Sequence, residues 1–390
     1  MSSASNNYWF HFKYWKLIIP VAVLAPVIWN CVNLSGILNE VEDINVEPCQ
    51  KMSGPPDFTH CEDFILSDEP GIAYVNCNPS SKYSNKASLT YLNPEGPVEN
   101  GAIWQVDYSQ QPAVLEKFDM GSLVDYHPLG INLDIHPVTG EKTILTVNLA
   151  HNNSPSIELF TVQDEQLVHK RTIRHPNIYN PNAVHPLRDE QFRADDGTPS
   201  FFFSNDHYFH IPVLKAIEPF LFPLSNVNFY NARTDQVQKV IDRLLFANGV
   251  SGSDDILFVS ETGRSAIRQY KINKTTDKEG VPSVYLDYAS EVKVGGAPDN
   301  LNYHPVEQIL AIAIHPRPLD LFKRMLADPN DPPNSPSKVV VWDIATDETK
   351  VILQDDGSLF SSSTGAAFDF DNSMFLVSGI LEEGLLICDL

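Results

Sequence analysis

Short apolar runs, each broken by a polar turn and followed by a second apolar run, recur six times along the chain. Asp299-Asn300-Leu301 opens one such unit, His304-Pro305 turns it, and Ile309 to Ile314 returns. The others open at Glu62-Asp63-Phe64, Gly130-Ile131-Asn132, Asn182-Ala183-Val184, Asn248-Gly249-Val250 and Thr364-Gly365-Ala366. Their returns are Ile72–Val75, Ile144–Val147, Ser200–Phe203, Ile256–Val259 and Met374–Val377. Openings fall at 62, 130, 182, 248, 300 and 364, a spacing of 52 to 68 residues. Further strands with alternating polarity lie between the hairpins: Ala102–Val106, Ile157–Phe160, Val227–Tyr230, Ala266–Tyr270 and Val339–Trp342.

This pattern predicts an all-β chain, a six-bladed β-propeller in which each hairpin supplies the innermost strands of one blade. The first residues of the inner strands then meet at one end of a central channel. Four of the six openings bear a side-chain carboxylate or amide oxygen: Glu62, Asn182, Asn248 and the pair Asp299-Asn300. Carboxylates and amides without cysteine or clustered histidine make a hard oxygen site, which suits calcium rather than zinc or copper. Taken singly, each is also an ordinary turn residue; convergence is what argues for a ligand set.

Two stretches break the β pattern. Ile211 to Leu224 and Pro318 to Ala327 are read as short helical insertions on one propeller face, either packing over the channel mouth or offering an apolar surface to lipid. Six histidines precede proline, at 127, 136, 175, 185, 304 and 315, and read as turn residues. There is no zinc spacing, no Gly-x-Ser-x-Gly elbow and no phosphate-binding glycine loop.

At the amino terminus, Leu17 to Val32 is apolar apart from Asn30, follows His11, Lys13 and Lys16, and precedes the first acid, Glu40. It reads as an uncleaved signal-anchor, with a cleaved signal as the alternative. The expected organisation is a cytoplasmic tail at 1–16, a membrane segment at 17–34, a stem at 35–48 and the propeller at 49–390. The flanking bases place the propeller in the lumen or outside the cell, in the secretory pathway. With 50 acids against 27 bases and a net charge of −23 over 390 residues, a nucleic-acid partner is not expected.

Four of the five cysteines lie in the exported part, where disulfides persist. A bridge between Cys49 and Cys388 would seal the ring and one between Cys61 and Cys77 would cross the first hairpin; spacing alone fixes neither. Sequons at Asn33, Asn152 and Asn273 are candidate glycosylation sites.

Over roughly 49–390 the chain resembles the serum paraoxonase/arylesterase family of calcium-dependent six-bladed propellers. The segments that carry the resemblance are Glu62-Asp63, Lys170 to His175, Ser204 to Phe209, Phe246 to Gly249, Asp299-Asn300 and Cys388-Asp389-Leu390. It implies a catalytic calcium held by Glu62, Asn182, Asn248, Asp299 and Asn300. It implies a second calcium on Asp63 and the carbonyl of Ile131, a site whose further carboxylate is replaced by Ala183. It also implies a Cys49–Cys388 disulfide, an amino-terminal segment kept uncleaved, and membrane or lipoprotein attachment through the Ile211 insertion.

The resemblance breaks at the water-activating histidines. The first is Leu129 here. The second matches His151 only with a small insertion after Val147-Asn148. His151 is thus the candidate base, set beside the Asn152 sequon. The expected function is calcium-dependent hydrolysis of lactones or aryl esters, the metal acting as a Lewis acid on the carbonyl. The alternative is a non-catalytic calcium-binding propeller that holds a lipophilic ligand or protein partner.

Overall fold

The computed structural model describes residues 28–29, 31–32, 34–80, 99–121, 123–151, 154–163, 166–276, 280–328 and 330–390. Most of the apolar run Leu17–Val32, and the sequons at Asn33 and Asn152, lie outside them. Among the described residues no helix is long and apolar enough to cross a membrane.

Strands are built where the apolar alternation placed them, and each joins its sequence neighbour antiparallel. Four sheets are four-stranded meanders. The first runs through Pro128–Ile135, Lys142–Asn148, Ser156–Gln163 and Gln166–Ile173. The second has Pro181–Leu187, Ser200–Asn205, Ser225–Asn231 and Gln236–Leu244. Then come Ala247–Gly252, Ile256–Glu261, Ala266–Thr276 and Pro282–Lys293. The fourth has Ala297–His304, Ile309–His315, Ser337–Asp343 and Glu348–Asp355.

An eight-stranded sheet holds the first and last strands of the described residues. Thr59–Leu66 begins a meander through Ile72–Cys77 and Ala102–Asp107 to Val114–Lys117. Ser363–Asp369, Met374–Glu383 and Leu385–Asp389 form the other part, whose outermost strand is Cys49–Met52 from the start of the chain. Cys49 pairs with Cys388 in register and is bonded to it, so the first and last strands are covalently joined. Cys61 and Cys77 face each other across the first hairpin and are likewise bonded. Both disulfides fit an oxidising compartment.

Apolar side chains form layers between neighbouring meanders. Phe202 and Phe229 of one pack with Leu257 and Val259 of the next. Phe258 and Ile267 pack in turn with Ile312 and Trp342. Each buried Phe contributes about 1.5–3 kcal/mol from burial alone. Between layers, a buried bidentate pair joins two meanders: the Arg193 guanidinium donates to both oxygens of Asp134, at 2.7 Å each.

The helices expected over the two insertions are Pro212–Leu221 and Pro318–Leu326. Each follows the second strand of a meander, and that strand ends beside the start of the first: Asn205 pairs with Pro181, and His315 with Ala297. The helices therefore sit at the end where the inner strands begin. The stem is tied down: Asn39 Nδ2 donates to the Pro316 carbonyl and Ile44 exchanges backbone hydrogen bonds with Gln354. Asn273 is half-buried in a strand rather than set in a loop, its Nδ2 donating to Asp287.

Candidate functional site

Every first strand of a meander is bulged near its start. The register slips between Cys61 and Asp63, Pro128 and Ile131, Pro181 and Val184, Ala247 and Val250, Pro298 and Leu301, and Ser363 and Gly365. A bulge leaves a residue unpaired and re-aims its side chain. Glu62, Asn182, Asn248, Asp299 and Asn300 all lie inside these slips. The backbones of Asn248 and Glu62 are each anchored by a neighbouring unit: Ser204 Oγ, from the meander before it, donates to the Asn248 carbonyl at 2.6 Å, and Ser378 Oγ, near the end of the chain, to that of Glu62 at 3.0 Å. Close approach requires glycine at Gly249, where an added Cβ would lie 2.6 Å from the Asp299 carbonyl oxygen and 2.7 Å from Asn300 Cα.

All five side chains are buried. Asn300 Nδ2 donates to Glu62 Oε1 at 2.8 Å, and Asn182 Nδ2 to Asp206 Oδ2 at 3.3 Å. Among the described residues, the opposite oxygens have no hydrogen-bond partner: Glu62 Oε2, Asn182 Oδ1, Asn248 Oδ1 and Asn300 Oδ1. A buried oxygen without a donor costs about 1–3 kcal/mol, so four from four meanders, beside the Asp299 carboxylate, are a strained arrangement unless something fills them. Hard oxygens, mixed charged and neutral, fit calcium.

The charges say the same. Burial pushes the Glu62 carboxyl well above its usual range, and Asp63, Asp299 and Asp206 push it further. Asp63 is raised to about 8, chiefly by burial. Burial also works against Asp206, but His207 and Lys215 hold its carboxyl below the usual range. Crowded acids in a dry site are what a cation relieves.

The proposed second set is less complete. Asp63 Oδ2 accepts from the Ile131 backbone N–H at 3.0 Å and Oδ1 from that of Phe64 at 2.9 Å. Ala183 is buried and offers no side-chain oxygen. Among the described residues, Asp43, Asp355 and Asp356 also gather carboxylate oxygens, well apart in sequence from either set.

His151 is exposed; its backbone N–H donates to Asp125 Oδ1 at 2.8 Å and its ring lies 6.3 Å from that of His127. Leu129 and Leu149 both pack against the same apolar cluster as Phe201 and Phe203. The pair of positions beside the Pro128–Ile131 bulge is therefore apolar.

Sequence patterning missed the groups that touch the oxygen set from the ends of second strands. His315 Nε2 lies 2.8 Å from Asp299 Oδ2, and among the described residues its Nδ1 is buried without a partner. His207 Nδ1 lies 2.7 Å from Asp206 Oδ1. The signal available was antiparallel pairing itself, which brings the end of each second strand beside the start of the first. The Pro212–Leu221 helix is pinned above them: Glu218 accepts from the Tyr208 and Phe209 N–H groups at 2.8 and 3.0 Å, and buried Lys215 reaches Asn180 Oδ1 at 3.5 Å.

The profile of the arylesterase family matches residues 84–390. The chain is 29% identical over 348 residues to rat (Rattus norvegicus) serum paraoxonase/arylesterase 1, covering 86% of this chain and 90% of that protein. Human serum paraoxonase/arylesterase 1 is 29% identical over 346 residues, 85% of this chain and 86% of that one. Mouse (Mus musculus) serum paraoxonase/lactonase 3 is 25% identical over 370 residues, 93% of this chain and 89% of its own length.

Proposed function

The chain belongs to the arylesterase family, and from that premise we propose that it is a calcium-dependent hydrolase of aryl esters or lactones. The fold is read as a six-bladed propeller, because contacts between first strands run from Thr59–Leu66 round to Ser363–Asp369 and back again. The observation that carries the function is the set of four buried, unpartnered oxygens on Glu62, Asn182, Asn248 and Asn300. With Asp299 they would hold the catalytic ion. A second ion on Asp63 and the Ile131 carbonyl is a weaker proposal, since Ala183 contributes no ligand.

When bound, calcium supplies Lewis-acid polarisation of the ester carbonyl and charge stabilisation for the developing oxyanion. The chain's own groups orient the donors and handle the proton. Asp206 and Glu62 each fix one amide by accepting its N–H, which turns the amide oxygen of Asn182 and Asn300 the other way. His315, with Nε2–H donating to Asp299, has its Nδ1 lone pair left to take a proton from water. His207, on Asp206, is the second imidazole in contact with the set. His151 stays a candidate base through its neighbour His127.

Apolar packing of Leu129 and Leu149 favours the alternative, a propeller that binds a lipophilic ligand without turning it over. The deciding experiment is hydrolysis of phenyl acetate and a lactone panel with and without chelator. Turnover that chelator removes and calcium restores supports the hydrolase; none on any substrate in the presence of calcium supports the binding protein.

Location belongs to the same proposal. Ile211, Val213, Ile217, Leu221 and Phe222 are exposed around the Pro212–Leu221 helix. With the Leu17–Val32 run they suit attachment to a membrane in the secretory pathway, with the propeller lumenal or extracellular.

A further inference from the structure

A cavity of about 630 Å³, with none of the oxygen set in its lining, lies between the residues before the first strand and the edge of two meanders. That volume is within the roughly 300–1,000 Å³ of small-molecule sites. One wall is apolar: Trp29, Val32, Leu34 and Leu38 from the amino-terminal side, with Leu245 opposite. The other carries Arg264 and Lys293. Among the described residues no Asp or Glu lines it, in a chain with 50 acids and 27 bases.

The two cations are held in place. Arg264 Nε lies 3.1 Å from Glu261 Oε1, while Lys293 Nζ lies 2.9 Å from Glu291 Oε1 and donates to the Arg264 carbonyl at 3.1 Å. Both carboxylates also engage Arg268, at 2.6 and 3.6 Å. A third cation adjoins the cavity: Lys338 Nζ is bonded to the carbonyls of Val294 and Gly295, 3.4 Å from each. Arg264, Arg268 and Lys293 thus share the Glu261 and Glu291 carboxylates and, with Lys338 nearby, leave a local positive excess beside an apolar wall of which Trp29 and Leu38 are 64% and 68% exposed.

We propose that this cavity binds an anionic amphiphile, a long-chain carboxylate with its head at Arg264 and Lys293 and its chain along Trp29, Val32 and Leu38. An apolar wall alone would accept any alkyl chain; the acid-free cationic side selects the anion, since a charged head gains charge-assisted hydrogen bonds that a neutral one does not.

The test uses the full chain with calcium, titrated with dodecanoate below its micellar concentration and followed by calorimetry and tryptophan fluorescence. Dodecanol is the neutral comparison, and phosphatidylglycerol vesicles test a membrane surface as the source of the anion. Saturable binding of dodecanoate, with dodecanol about tenfold or more weaker, is expected from the loss of a charge-assisted contact. Arg264→Gln with Lys293→Gln should weaken dodecanoate and leave dodecanol unchanged. Leu38→Asp, at an exposed position, should weaken both. Equal affinity for the two amphiphiles, dodecanoate binding that survives these changes, or anion recognition only on vesicles would overturn the proposal.

Discussion

Asn300 Nδ2 donates to Glu62 Oε1 across 2.8 Å, while the other oxygen of each, Glu62 Oε2 and Asn300 Oδ1, is buried without a partner among the described residues. The two residues are 238 apart in the chain and come from different meanders. One hydrogen bond between them fixes both rotamers and leaves the spare oxygens for a third party. Their arrangement explains why a carboxylate and an amide are paired here rather than two carboxylates: an amide can brace its neighbour and still present an oxygen.

Without metal, the same crowding makes stability fall with pH. Glu62 is raised well above its usual range and Asp63 to about 8, burial being the main cause in each. For both, the folded state holds its proton where the unfolded state has lost it, so their contribution is complete below about pH 4 and is lost as pH rises, through about 8 for Asp63. In chelator, the melting temperature should drop across that window, and Asp63→Asn should flatten the drop. With saturating calcium the slope should diminish, because the metal binds the ionised form. A melting temperature that climbs from pH 5 to 8 in chelator, equally in wild type and Asp63→Asn, would contradict this.

The Asp134–Arg193 pair should dominate local stability between its two meanders. Both side chains are buried and bonded through two 2.7 Å contacts. Asp134→Ala strands the guanidinium, a loss of about 3–5 kcal/mol for a broken buried pair. Denaturant unfolding measures it. A cost below that of an ordinary surface substitution would show that water reaches Arg193.

Joining the chain ends should matter as much. Replacing Cys388 with Ser opens the bond to Cys49, which closes a loop across nearly the whole chain. About 2–5 kcal/mol is expected. Since Cys49–Met52 is held to Leu385–Asp389 at the sheet edge, protease should cleave first near the amino-terminal strand. Unchanged stability and cleavage pattern would mean that strand pairing alone closes the ring.

The two candidate bases separate by mutation. His315→Gln should lower kcat by roughly 10²–10⁴-fold, as for loss of a general base, with calcium still bound. His151→Gln should leave kcat within a few-fold. The reverse pattern would return the base to His151.

The strands and the oxygen set were legible because both obey simple periodicities. Apolar runs split by turns name the hairpins, and inner strands of a ring must start together, so Glu62, Asn182, Asn248, Asp299 and Asn300 follow from position. His315, Asp206 and His207 were not legible. They sit at the ends of second strands, where the pattern marks only a return into a loop, and His315-Pro316 looks like any other turn. Lys215 was hidden for another reason: it falls within an apolar helical run, and only packing reveals that its ammonium turns inward toward Asn180. The bulges were invisible too, since one extra residue leaves no mark on alternation.

Metal content measured on purified full chain is the most direct test of the central claim. Calcium analysis after dialysis, on wild type and on Asn248→Ala, should show at least one tightly held ion in the first and its loss in the second, with phenyl acetate turnover falling in step. Folded wild-type protein that retains no calcium from millimolar solution, or Asn248→Ala protein that binds it undiminished, would contradict the assignment of these oxygens as a metal site.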